Sequence, residues 1–423
     1  MKVTEKKAKN GEIHLTAIAS TQEVSQAFHR AHLAFANQMG IRPDGDKDVV
    51  QLVREQLGIT DLDTIVSTQA VQNLVPFAID KRNLMPAFPP TPILNSQIKR
   101  GKTFTFELHV TPKPTFELES YDPVTITVRP LTVDEKDVDE ELERLAKNNV
   151  RFEHDEPHPI GEGDSFKLGI VATQNGKQLK GLTTPGRTYQ MGLNLMPEEF
   201  ERQLVGMNVG EVKNIRFTLP GDTEGPIDAR VTVLEMRKCI IPTIDDEWVA
   251  QNRPNYVNLQ IFRDATRKQI ENALRPKYEE MKLSLAATEL AKRFKGHIDD
   301  SIYEASQKTY LENMRGSLEQ QGQDFDEFVK SQGGEQQFGM MTMLQVRSNL
   351  VQGYSLDAVF RHEKMTLTEE DLNRAARELN PQNPMAVRQE IDETGQGYVL
   401  REVAQRIKAN QWVLNNAEVI VQE

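Results

Sequence analysis

The residue types that perform acid–base, nucleophilic or metal chemistry are thinly spread in this chain. Eight histidines occur among 423 residues. His29 and His32, at i and i+3, share one helix face, but no third ligand stands near them. No zinc site is expected there, and both read as exposed or half-buried residues. The single cysteine, Cys239, excludes an internal disulfide and a cysteine-cluster metal site. No Ser/His/Asp order, phosphate-binding loop or dinucleotide loop is present, so no nucleophilic enzyme, cofactor or metal is expected. What remains is the chemistry of apolar contact. Tyr189, Met196 and Phe200 fall close together in a segment rich in glycine and proline. Met340, Met341 and Met343 form a dense group, with Met314, Met365 and Met385 nearby in the chain. Methionine is flexible and polarizable, which suits a surface that adapts to varied partners and equally suits a core. Phe325 and Phe328, at i and i+3, carry the same two readings.

The elements that must position these residues are limited by composition. At roughly 150 residues per domain the length suggests about three domains. Hydrophobic residues make up 38% and charged residues 27%, which fits a water-soluble chain with much exposed surface. The balance of 51 Lys+Arg against 63 Asp+Glu, net −12, makes a poor general binder of nucleic acid. No DNA partner is expected. No run of about 18 apolar residues occurs, and no apolar segment follows the Lys-rich start, so no membrane span and a cytoplasmic setting are expected.

Four segments differ in pattern. Residues 1–115 read as α+β. Ile13–Ala19 alternates as a strand. Val24, Ala27, Phe28, Ala31, Phe35 and Met39 form one helix face, with Thr21 as its N-cap. Helical periodicity resumes at Val49 and stops at Gly58, and Thr103–Val110 alternates with Phe104, Phe106, Leu108 and Val110 on one side. Residues 116–155 read as a connector. It holds a short strand at 124–128 and a charged helix capped by Thr132 with Glu135 three residues on. That helix's narrow stripe of Val138, Leu142 and Leu145 suits an exposed linking helix, and the acidic run Asp137–Glu143 reads as solvated surface. Residues 156–238 read as a small β domain with a hairpin at Asn175-Gly176. Residues 239–423 read as helical, including a run through Leu290, Phe294, Ile298 and Ile302, with breaks near Gly322, Gly333-Gly334 and Asn380–Pro384.

Particular residues sharpen this order. Tyr189-x-x-Gly192, Met196-Pro197, Phe200-Glu201 and Gly206-Met207-x-x-Gly210-Glu211 resemble the FK506-binding-protein (FKBP) type of prolyl isomerase. The run Ile241-Pro-Thr-Ile-Asp-Asp-Glu-Trp248-Val249, the Gly40-Ile41-Arg42 turn, Gly101-x-x-Phe104-x-Phe106, Pro114-x-x-x-Leu118-x-x-Tyr121 and Leu318 to Phe328 add to it. Together the chain resembles the bacterial trigger factor family of ribosome-associated chaperones over essentially its whole length.

The resemblance implies a multi-domain α+β protein. An N-terminal α+β ribosome-binding domain (1–115) and a connector (116–155) would precede a small FKBP-like β-rich domain (156–238). An elongated all-α client-binding domain (239–423) would follow. In the family a Gly-Phe-Arg-x-Gly-x-x-Pro loop docks beside the ribosomal exit tunnel. The positions implied here are Gly40, Ile41, Arg42 and Gly45; Ile41 replaces the aromatic and the closing proline is missing. From Met39 to Asp48, Arg42 and Lys47 face Asp44, Asp46 and Asp48, a local sum of −1. The isomerase pocket implied by the family would comprise Ile170, Leu179, Tyr189, Met196, Phe200 and Val231. Rotation about an X–Pro bond needs only an apolar, desolvated site that favours the twisted amide. Ile170, Leu179 and Val231 stand where the family carries aromatic rings, each worth about 0.5–1.5 kcal/mol of ring contact. A weak or lost isomerase activity follows. The client surface implied would use Met314, Phe325, Phe328, Met340, Met341 and Met343. The partners expected are the ribosome and nascent or unfolded polypeptides. The rival readings are an active prolyl isomerase and a ribosome-independent holdase or assembly factor.

Overall fold

The computed structural model describes residues 1–41, 48–193, 195–219 and 225–422. The chain divides into two units, one built from Met1–Pro130 and Tyr278–Glu423, the other from Leu131–Lys277.

The first unit opens with β1 (Lys2–Lys7) and β2 (Ile13–Ala19), then α1 (Thr21–Gln38), α2 (Val49–Leu57), α3 (Leu62–Ile65), α4 (Ser67–Gln72) and α5 (Val75–Lys81). β3 (Pro92–Ile93), β4 (Phe104–Val110), β5 (Glu117–Leu118) and β6 (Thr125–Val128) follow. An antiparallel sheet of order β1-β2-β4-β3 forms because β2 and β4 alternate apolar and polar residues. Leu15, Ala17, Ala19, Phe104, Phe106, Leu108 and Val110 turn inward onto α1. The cap of α1 is Ser20, not Thr21: Ser20 Oγ accepts from Glu23 N and Glu23 reaches back to Ser20 N, a reciprocal capping box.

The second unit holds α6 (Glu135–Asn148), β7 (Arg151–His154), β8 (Ser165–Gln174), β9 (Lys177–Gln178), β10 (Thr184–Gln190), α7 (Glu198–Leu204), β11 (Val212–Phe217), β12 (Ile227–Ile240) and α8 (Asp246–Asn252). It ends within α9 (Leu259–Ala291), where Pro276, which removes one intrahelical hydrogen bond, adjoins the division after Lys277. The sheet runs β10-β8-β12-β11, with β7 added on β12 and β9 on β8. The β8–β9 hairpin turns at Asn175 and Gly176, both at positive φ, as a tight two-residue turn demands. Two sequence expectations change here. α6 is capped by Asp134, paired with Asp137, rather than by Thr132. Its stripe is also no exposed linker surface: Val138 and Leu142 are buried against Trp248, Val249 and Phe262.

The first unit resumes with β13 (Phe294–Lys295), α10 (Asp300–Gln320), α11 (Phe325–Ser331), α12 (Gly334–His362), α13 (Glu369–Leu379), α14 (Pro384–Thr394), α15 (Gly397–Asn416) and β14 (Glu418–Val421). The apolar run from Leu290 to Ile302 is not one helix. Phe294 and Lys295 pair with Leu118 and Glu117 of β5, and a fresh helix starts after the Asp299 cap. β14 pairs in parallel with β6. A core of Val124, Ile126, Val128, Leu356, Val359, Ala409 and Val413 forms behind these strands. Among the described residues no helix is long and apolar enough to cross a membrane.

Candidate functional site

The implied docking turn begins at the end of α1. Gly40 N donates to Asn37 O and Ile41 N donates to Ala36 O at 2.9 Å, with Gly40 at φ +72°. This is a Schellman close, in which a left-handed residue follows the cap and an apolar residue then folds back. Ile41 is that apolar residue, 3% exposed in the core with Leu15 and Phe28. Arg42 and Gly45 lie outside the described residues.

The histidines of α1 separate. His29 is exposed, whereas His32 is buried and its Nε2 lies 2.8 Å from Asp63 Oδ1. Burial lowers the His32 pKa, and Asp63 only partly offsets that.

The six implied pocket residues divide by burial. Phe200 and Val231 are fully enclosed, and Phe200 packs edge-on against Phe217 and Tyr189. Tyr189 is buried with its hydroxyl donating to Glu201 Oε1 at 2.6 Å, and Gly192 N donates to Oε2. Burial, then the Glu201 carboxylate, pushes the Tyr189 phenol far above its usual range. Glu201 is the residue behind the Tyr-x-x-Gly and Phe-Glu signatures: one buried carboxylate ties both segments. Ile170, Leu179 and Met196 are half-buried beside this core and offer the surface that the other three do not.

The implied client residues divide too. Phe325 and Phe328 of α11 both meet Phe338 of α12 edge-on, at 5.9 and 6.2 Å between centroids, and Arg315 covers Phe325 at 4.2 Å. Met314 is half-buried in α10 and lines a shallow groove with Tyr310 and Leu318. Successive α-helical residues are about 100° apart. Phe338, Thr342 and Val346 therefore make one stripe of α12, and they are buried. Met340 and Leu344 fall on the opposite side and are 63% and 57% exposed, with Met343 at 56% and Met341 at 50% exposed on its two flanks. The first half of α12 thus has two apolar faces, one packed and one open. Its second half, Gly353 to Val359, is buried on every side.

One polar cluster left no sequence signal. Lys113 Nζ donates to Asp357 Oδ2 at 2.5 Å and to Glu402 Oε1 at 2.6 Å, while Arg406 donates to both Asp357 oxygens at 3.2 Å. Burial opposes ionisation of Asp357, but Arg406 and Lys113 together hold its carboxyl below the usual range. An open cleft of about 600 Å³ is lined by Leu84, Met85, Phe360, Met365 and Leu367 together with this Lys113–Asp357 pair. The partners are separated by up to 289 positions in the chain, so no local motif announces them.

The family model for bacterial trigger factor protein (TF) matches residues 1–145, and that for the trigger factor C-terminus matches residues 258–415. The chain is 26% identical over 341 residues to the trigger factor of Caldicellulosiruptor bescii, covering 77% of this chain and 76% of that one. It is 23% identical over 368 residues to the trigger factor of Thermobifida fusca, covering 86% and 78%. With that of Brevibacillus brevis it shares 27% over 293 residues, 66% of each. A solved structure described as "Promiscuous Substrate Recognition in Folding and Assembly Activities of the Trigger Factor Chaperone" aligns with 98% of the chain and 99% of its own at 19% identity and a TM-score of 0.47. With a terminal family model matching at each end and relatives spanning most of its length, this chain belongs to the bacterial trigger factor family of chaperones.

Proposed function

We propose that this protein holds nascent or unfolded polypeptides in the cytoplasm on the open apolar face of α12, near the ribosomal exit tunnel. The observation that carries the reading is the pair of apolar faces on one helix. Phe338, Thr342 and Val346 satisfy the fold, so Met340, Met343 and Leu344 are surplus to it. A contiguous exposed patch of large apolar side chains marks a surface that something else covers. Methionine lets one surface accept many apolar sequences. In this reading residues 1–115 dock on the ribosome through the turn after α1, residues 116–155 connect, residues 156–238 are an isomerase-like module of weak activity, and residues 239–423 bind clients. The test is suppression of aggregation of a chemically unfolded client by the full chain. Replacing Met340, Met343 and Leu344 together by Glu should abolish it while far-UV circular dichroism stays unchanged. Undiminished suppression would refute the assignment of the face.

Ribosome localisation raises the local concentration of clients and so compensates weak contacts. Salt-sensitive co-sedimentation with non-translating ribosomes, lost on Arg42→Ala, is the expected result. Aggregation suppression without ribosome association at any salt would favour a ribosome-independent holdase.

A further inference from the structure

We propose that Glu12, His14 and His109 form a binding site for an imidazole-seeking divalent transition-metal ion of the zinc class, on the outer face of the N-terminal sheet. His14 of β2 and His109 of β4 are direct cross-strand partners. Their neighbours Leu15 and Leu108 point into the core, so alternation along the strands sends both histidines to the opposite face. The two rings are stacked, 3.7 Å between centroids and 4° from parallel. Glu12 sits at the end of the turn between β1 and β2, where its N–H donates to the Asn10 side chain and its carbonyl accepts from Ala8 N. Its Oε2 lies 3.5 Å from His14 Nε2. One donor atom from each of the three residues lies within 4.8 Å of the others.

Two imidazoles and one carboxylate are a donor set that zinc, nickel and copper favour over magnesium or calcium. Tetrahedral zinc with bonds of about 2.0–2.2 Å needs donors about 3.5 Å apart. The rings must turn out of their stack about the side-chain torsions to aim both lone pairs at one ion; His109 is exposed and His14 half-buried, so that turn needs no movement of the strands. The site lies at the surface, so a fourth position stays open to water or to a carboxylate of a bound polypeptide. Lys6, opposite His14 on β1, opposes the charge of a bound ion, but it is exposed and salt screens it. Binding would pin β2 to β4 and so stiffen the sheet beneath which α1 packs.

The experiment is calorimetric titration of the untagged full chain with zinc chloride, alongside cobalt absorption spectra. One saturable site is expected, with a four-coordinate cobalt spectrum lacking a thiolate charge-transfer band. His14→Ala and His109→Ala should each weaken binding at least about tenfold, and Glu12→Gln by a smaller factor. Cys239→Ser and His29→Ala should leave it unchanged. Zinc should raise the thermal midpoint of the parent and not that of His14→Ala. Unchanged affinity in both cross-strand histidine variants, loss on Cys239→Ser, or no saturable binding at sub-millimolar zinc would each overturn the assignment.

Discussion

The Tyr189 hydroxyl donates to Glu201 inside the core of the second unit, 2.6 Å from Oε1, while the other carboxylate oxygen accepts from Gly192. A buried carboxylate with two such donors ties β10, the turn after it and α7 into one piece. Tyr189→Phe removes one donor and leaves Glu201 short of a partner, at about 1–3 kcal/mol. Urea unfolding should show that loss, and Glu201→Gln should restore part of it in the double variant by removing the buried charge.

Phe200 is fully enclosed between Tyr189 and Phe217, so its truncation tests the core before it tests catalysis. Phe200→Ala should destabilise by about 3–5 kcal/mol. Half-buried Ile170 and Met196 are the better probes. In a proline-limited refolding assay, Ile170→Ala and Met196→Ala should change any residual rate while the unfolding midpoint moves little. A rate unaffected by both would place whatever isomerase activity exists elsewhere.

Gly40 closes α1 at φ +72°, with open space where a Cβ would go. Only backbone strain opposes a side chain there. Gly40→Ala should lower stability by about 1 kcal/mol and Gly40→Val by more, whereas Gly40→Asn, which tolerates the left-handed region, should be milder. Thermal midpoints rank the three.

Asp357 accepts from Lys113 and Arg406 in the first unit, and these cations outweigh burial to keep its carboxyl below the ordinary value of 3.8. A depressed folded pKa means that the ionised form contributes its stability in full above the unfolded value. That contribution is lost as pH falls below about 4 through the folded pKa. Asp357→Asn leaves two cations facing a neutral amide and should destabilise by about 3 kcal/mol at neutral pH. Unfolding free energy followed from pH 7 to 3 should fall less steeply in the variant than in the parent.

Much of the fold was legible because it rests on local rules. Alternation in Ile13–Ala19 and Thr103–Val110 gave two strands and, for the second, its apolar face; that they pair as neighbours is seen only in the structure. Asn175-Gly176 gave a hairpin, since few other pairs accept two positive φ angles. The breaks at Gly322, Gly333-Gly334 and Asn380–Pro384 mark helix ends in the structure. Caps were displaced by one or two residues, because Ser20, Thr21, Thr132 and Asp134 all have side chains that can cap; the backbone direction at entry chooses among them.

The sequence by itself determined composition, period and punctuation, and through its signatures the family. It could not say which apolar residues would find a partner. α12 runs unbroken from Gly334 to His362, yet tertiary packing covers every side of Gly353 to Val359 and only one face of the first half. Phe325 and Phe328 became half-buried because Phe338 came to meet them, and Met340 and Met343 stayed open because nothing in the described unit did. The Lys113–Asp357–Glu402 cluster and the His14–His109 stack likewise exist only after distant segments are joined. Periodicity reports which face of an element is apolar, whereas burial depends on what the rest of the chain brings to that face.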